Sequence, residues 1–326
     1  MKEIGSFIEL ELPKGRELYS GNHGVARLNT GRAAIWHAFR LTGANAIWIP
    51  YYQCGSVREF LTKKGIEIKY YHQDRSFTPT DLKPNSNEAV LLVNYFGIMS
   101  YDRMQNLARP YENVIIDNCQ AFFCKPLPNA LSVYSARKFV GVADGAYVIG
   151  PSAERFVEEY PQCYSSDTAS FLLKRIEYGC EGKGYEARTL NEDRIDSEDI
   201  MKMSKLTRAM LDGADYDYNR SKRRENFEIA CQLFADINRI DPKRFYDEST
   251  VPMVYPLVVE DDGLLGKLLS AKHFQGRWWK YITEELPESS FEHWLSRYMI
   301  PITIDQRYGE SDIVYIYSIV ESALKH

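Results

Sequence analysis

Residues Asn113 to Gly150 read NVIIDNCQAFFCKPLPNALSVYSARKFVGVADGAYVIG. Three short apolar runs lie inside this stretch. Val114-Ile115-Ile116 ends on Asp117, Ala130 to Tyr134 ends on Ser135-Ala136-Arg137-Lys138, and Ala146 to Ile149 follows Asp144-Gly145. Runs without polar alternation predict strands buried on both faces. In sheets of that kind, reactive groups collect where strands end. The spacing therefore predicts an acid and an amine delivered to one crevice by two strand ends.

That pair suits pyridoxal phosphate. The cofactor needs a lysine amine for its resting covalent link, a carboxylate at the ring nitrogen, and donors for its phosphate. Lys138 is the candidate amine, Asp117 the candidate carboxylate, and Ser135 a candidate phosphate donor. Gln120, three residues after Asp117, is placed to hydrogen-bond the ring hydroxyl. Each motif alone is weak, because a Ser-x-x-Lys tetrapeptide also occurs by chance and in serine hydrolases. Their order, separation and strand context carry the reading.

Asp117-Asn118-Cys119-Gln120 resembles the D-x-x-Q of the DegT/StrS-type sugar aminotransferases. Ser135 to Lys138, with Gly141 and Asp144-Gly145-Ala146 after it, is similar to that family's lysine segment and following strand. The resemblance implies the aspartate-aminotransferase fold, type I, with pyridoxal 5'-phosphate as cofactor. Four further segments extend it. Thr30-Gly31-Arg32 opening a helix looks like the family's phosphate turn, and a capped helix start is itself a good anion site. In that turn Arg32 stands where many members carry Thr, and is expected to contact the phosphate, the substrate or the partner subunit. Pro50-Tyr51-Tyr52 is similar to P-x-aromatic, making Tyr52 the candidate ring that stacks on the cofactor, with Tyr51 or a more distant aromatic as rivals. Met203-Ser204-Lys205-Leu206 matches M-S-x-L, while Arg223-Arg224-Glu225-Asn226 and Asp305-Gln306-Arg307-Tyr308 resemble R-R-x-N and D-Q-R-Y. The chain departs from the family just before Met203. Ile200-Met201-Lys202 stands where many members have N-x-R, whose Asn reaches the neighbouring subunit's phosphate. Lys202 or Asn191 is the candidate replacement.

Composition bounds the rest. The chain has 326 residues, 44% hydrophobic and 26% charged, with a formal net charge of -5. These values predict a globular protein with no electrostatic reason to bind nucleic acid or anionic membrane. No apolar run is long enough for a membrane span, and the start has no signal-peptide core. The six cysteines form no CxxC pair and no zinc spacing, so no metal site is expected and reduced, cytoplasmic thiols are. The 23 tyrosines suit a ligand crevice or an interface as well as an ordinary core.

The pattern predicts an α/β fold with a mainly parallel sheet sandwiched by helices, and the resemblance implies that the sheet is of the seven-stranded type and is followed by a smaller α+β C-terminal domain. Expected boundaries are an arm over 1–24, a large cofactor-binding domain over 25–215 and a small domain over 216–326. A helix is expected over 152–159. Loops are expected over 72–87 and 179–196, where substrate selection is expected to reside. The implied activity is transfer of an amino group from an amino acid donor to a keto sugar, nucleotide-linked, in a homodimer with shared active sites. Three alternatives stay open: dehydratase or aldolase chemistry with the same cofactor, a serine hydrolase using Ser135 and Lys138, and a non-catalytic sensor with the same fold.

Overall fold

A computed structural model describes residues 4–325. Residues 1–3 of the expected arm and residue 326 of the expected small domain lie outside the described residues. The quoted stretch forms the middle of a seven-stranded sheet. Its strands are β1 (Val25–Leu28), β2 (Ala46–Pro50), β3 (Glu67–Tyr71), β4 (Glu88–Val93), β5 (Val114–Asn118), β6 (Leu131–Ser135) and β7 (Ala146–Ile149), in the order β1-β7-β6-β5-β4-β2-β3. Strands β3, β2, β4, β5 and β6 run parallel, and β7 is antiparallel to both its neighbours. Every residue of β4, β5, β6 and β7 is buried, as continuous apolar runs require when both faces are covered.

One face carries α1 (Gly31–Thr42) and α2 (Gly55–Lys63), which pack Ala33, Ala34, Ala38 and Leu61 onto Ile47, Leu91 and Val133. The other face belongs to a larger apolar cluster that runs continuously into the C-terminal region. Connecting helices are α3 (Tyr101–Ala108), α4 (Ser170–Tyr178), α5 (Lys183–Ser197) and α6 (Lys205–Asp212). The long α7 (Tyr216–Leu233) leads to a two-stranded antiparallel sheet of β8 (Val254–Val258) and β9 (Met299–Thr303). Between those strands lie α8 (Leu264–Ser270), α9 (Tyr281–Glu285) and α10 (Phe291–Tyr298), and α11 (Glu310–Leu324) closes the described chain. Among the described residues no helix is long and apolar enough to cross a membrane.

Two local expectations fail. Residues 152–159 are turns with one short 3-10 segment, because Ser152 (φ 57°) and Phe156 (φ 71°) are left-handed and interrupt any helical ladder. Most of the expected 179–196 loop is instead α5. Its buried stripe is Gly184, Ala187, Asn191 and Ile195, at helical spacing but too small and polar to show as amphipathic. The tyrosines chiefly serve the core: Tyr52, Tyr71, Tyr95, Tyr134, Tyr147 and Tyr255 are among the largest fully buried side chains.

Candidate active site

Asp117 is the penultimate residue of β5 and pairs with Val133 of β6, so the two strands end together. Its Oδ1 accepts from the backbone N–H of Cys119 at 2.9 Å, and its Oδ2 accepts from Gln53 Nε2 at 3.1 Å. Gln53 is oriented by its own Oε1, which accepts from the Cys54 N–H at 2.7 Å. Two donors thus fix a buried carboxylate at a strand end, where an isolated one would be costly.

The turn expected to hold phosphate lies at the start of α1. Thr30 is the N-cap, and its Oγ1 accepts from the Ala33 N–H at 3.3 Å. Among the described residues, the Gly31 and Arg32 N–H groups have no hydrogen-bond partner, and neither has Ser135 Oγ. A Cβ placed on Gly31 would lie 2.8 Å from Cys119 Sγ and 3.8 Å from Ser135 Cβ. Glycine is therefore needed where α1, the Asp117 turn and the end of β6 converge. Free amides, a free hydroxyl and the positive end of a helix dipole at one point suit a phosphate dianion.

Lys138 ends a single 3-10 turn, Ala136–Lys138, directly after β6. That turn is held by Ala136 N–H on the Gly145 carbonyl at 3.0 Å and Gly145 N–H on the Asn29 carbonyl at 2.7 Å. Gly145 has φ 118°, and a Cβ there would meet Thr207 Cγ2 at 2.9 Å. Asp144 beside it is fully buried and accepts from Ser204 N–H at 2.8 Å, Ser204 Oγ at 2.6 Å and Thr207 Oγ1. The M-S-x-L segment and the strand after the lysine are thus one hydrogen-bonded unit. The Lys138 side chain is exposed and its ammonium has no partner among the described residues. Burial and the charge of Asp117 raise the Cys119 thiol well above its ordinary range, while the Lys138 charge pulls the other way.

Gln120 is buried, and its Oε1 accepts from the Phe96 N–H at 2.8 Å. That contact holds Phe96 in a left-handed conformation (φ 58°) rare for a bulky residue and leaves the Gln120 amide nitrogen free to donate. Several expectations need correction. The Arg32 guanidinium turns away from the phosphate turn, pairing with Asp196 at 2.8 Å and donating to the Ile195 carbonyl, with Phe60 beneath it. Only its backbone N–H serves the turn. Tyr52 is fully buried between Tyr95 and Trp279, at ring separations of 5.6 and 4.5 Å, so it presents no free face to a cofactor. Its rival Tyr51 packs on Tyr70 and His72. Asn191 is buried in its own chain, donating to the Ala143 carbonyl at 3.1 Å, and Lys202 pairs with Glu158 at 3.0 Å. Asn191 is therefore not directed outward as a replacement for N-x-R, whereas Lys202 lies at the surface in an exposed ion pair. Gln53, which contacts Asp117, was not singled out from the sequence, since its contact is long-range.

No family model and no curated protein matches the sequence. Solved structures do. A DegT DnrJ EryC1 StrS aminotransferase from Brucella abortus superposes with a TM-score of 0.62 at 13% identity, covering 93% of this chain and 87% of that one. The chain has the fold of the pyridoxal-phosphate-dependent aminotransferases. Sugar aminotransferase CalS13 from Micromonospora echinospora gives 0.63 at 17% identity, covering 93% and 88%. A GDP-4-keto-6-deoxy-D-mannose-3-dehydratase from E. coli, with bound hydrated PLP, gives 0.62 at 13% identity, covering 92% and 88%. The aminotransferase fold thus extends over nearly the whole chain.

Proposed function

We propose that this chain is a pyridoxal-phosphate-dependent aminotransferase that moves an amino group from an amino acid donor to a keto sugar, nucleotide-linked. The observation that carries the reading is convergence. Among the described residues, a carboxylate fixed by two donors (Asp117), an amine without a partner (Lys138) and backbone and hydroxyl donors without partners (Gly31, Arg32 and Ser135) stand at the ends of β5 and β6 and the start of α1, which supports the reading. The donor set fits pyridoxal phosphate at each of its polar groups.

When bound, the cofactor supplies an electron sink for the charge left as a Cα proton departs. Asp117 would keep the ring nitrogen protonated by accepting a hydrogen bond from it. The Gly31 and Arg32 amides and Ser135 Oγ hold the phosphate, and Gln120 Nε2 donates to the ring hydroxyl. Lys138 would carry the covalent attachment at rest, and its Nζ, when free, would accept a proton from one carbon and return it to another. Donor and acceptor take turns in one site, so ping-pong kinetics are expected. Dehydration is the second reading, favoured by the E. coli neighbour. Some dehydratases of the resembling family carry His at the lysine position, and Lys138 argues against that variant.

A second copy of this chain is the proposed partner, covering residues that stand in solvent here. Ile4, Phe7 and Ile8 of the arm are 91%, 89% and 87% exposed, and Leu173, Ile176 and Leu190 of the α4–α5 hairpin 62%, 83% and 66%. Apolar side chains so exposed in two groups mark an interaction surface. Light scattering is expected to give twice the chain mass. A donor screen tests the chemistry: incubation with glutamate or glutamine converts the bound cofactor to its amine form, and a keto sugar restores it. Release of water or ammonia from the sugar without restoration favours dehydration.

A further inference from the structure

Two motifs remain without a role, Arg223-Arg224-Glu225-Asn226 on α7 and Asp305-Gln306-Arg307-Tyr308 after β9. The structure joins them. Asn226 Nδ2 donates to the carbonyls of Ile304, Asp305 and Tyr308 at 3.2, 3.2 and 3.0 Å, which fixes the loop that carries Gln306. One turn earlier on α7, Arg223 is buried, and its Nε donates to Gln306 Oε1 at 2.9 Å. Gln306 Nε2 then donates to the Phe139 carbonyl at 2.8 Å. The same guanidinium lies 4.6 Å from the centre of the Phe139 ring, with Nη1 on the Met253 carbonyl at 3.0 Å and Nη2 3.5 Å from the Lys138 carbonyl.

We propose that Gln306, oriented by Arg223, is a positioning residue for Lys138. This rests on the reading of Lys138 as the cofactor-bearing amine. Among the described residues the Lys138 side chain has no hydrogen-bond partner, so the backbone that bears it fixes where the side chain starts. That backbone is a single 3-10 turn, too short to be rigid without outside contacts. Ala136 fastens its front to Gly145. The Gln306–Phe139 bond fastens its back. Arg223 settles which way the amide faces, because a flipped Gln306 would set two acceptors together at Phe139 and a donor against a cation. A side chain held at both ends, as Gln306 is between Arg223 and the Phe139 carbonyl, supports the direction of a reactive side chain. Gln306 and Arg223 both come from the C-terminal region, so the packing of α7 and the loop after β9 is coupled to presentation of the amine.

Gln306→Met removes the amide at nearly constant length. Two readouts decide the outcome, both started on cofactor-free protein. One is hydrogen exchange of the amides of residues 136–140. The other is the rate at which added pyridoxal phosphate becomes attached to Lys138, followed by absorbance and located by peptide mapping. Exchange about tenfold faster and attachment about tenfold slower are expected, the scale of one lost hydrogen bond, with the melting temperature within a few degrees of wild type. Should that variant not fold, Gln306→Glu keeps an acceptor for Arg223 and lacks the donor to Phe139, and the same two changes are expected. Unchanged attachment overturns the proposal, whether exchange is faster or not. If the wild type attaches cofactor at another lysine, the reading of Lys138 falls and the proposal with it.

Discussion

Gln53 Nε2 lies 3.1 Å from Asp117 Oδ2 and donates to it, across 64 residues of sequence. The backbone carbonyl of Gln53 in turn accepts from Tyr281 Oη at 2.6 Å, so α9 of the C-terminal region is tied to the site carboxylate through one side chain.

Gln53→Leu keeps the volume and removes this donor. Hydrogen bonds to charged groups contribute about 1.5–3 kcal/mol. The variant should retain cofactor, because its phosphate donors are untouched, and lose about tenfold in turnover as Asp117 loses its orientation. Steady-state kinetics with a glutamate donor check this. Turnover equal to wild type would mean that Cys119 N–H alone orients the carboxylate.

Gly145→Ala probes the frame behind the lysine. The position combines φ 118° with a Thr207 methyl 2.9 Å from where a Cβ would stand. Strain of this type costs about 1–3 kcal/mol. A melting temperature several degrees lower is expected, with weaker cofactor retention because Gly145 also holds Ala136 and Asn29. Calorimetry reports the first effect and dialysis with absorbance the second.

His273 predicts an acid-side stability slope. Both ring nitrogens are buried without a partner among the described residues, and burial lowers the imidazole to about 4 from 6.5. Between these values the unfolded chain holds a proton that the native one excludes. Stability therefore falls as pH drops from 6.5, and the loss is complete below about 4, reaching up to about 3 kcal/mol. His273→Leu should flatten that part of the profile. Urea unfolding at pH 7.0 and 5.0 measures it, and an unchanged slope would assign the acid sensitivity to other groups.

Much of this fold was legible because its strands are uniform. Three buried runs, two ending on Asp117 and on Ser135 to Lys138 and one following Asp144-Gly145, marked adjacent strands of the sheet. The capping pattern at Thr30 was readable for the same reason: it is local. What sequence could not give was long-range or weakly patterned. Gln53 meets Asp117, and Gln306 meets Phe139, through contacts that leave no periodic trace. Arg32 was read for its position in the turn, but Asp196 and the Ile195 carbonyl decide where its guanidinium goes. Tyr52 stood at the expected place, and the C-terminal Trp279 closes its exposed side. Helix α5 hid behind a stripe whose members include Gly184 and Asn191.

The central claim is that Lys138 bears the cofactor opposite Asp117. Purified protein is loaded with pyridoxal phosphate, reduced with borohydride, digested and mapped by mass spectrometry. The account predicts a single reduced adduct on Lys138, absent in Lys138→Ala. An adduct on a different lysine, or none after loading, contradicts it.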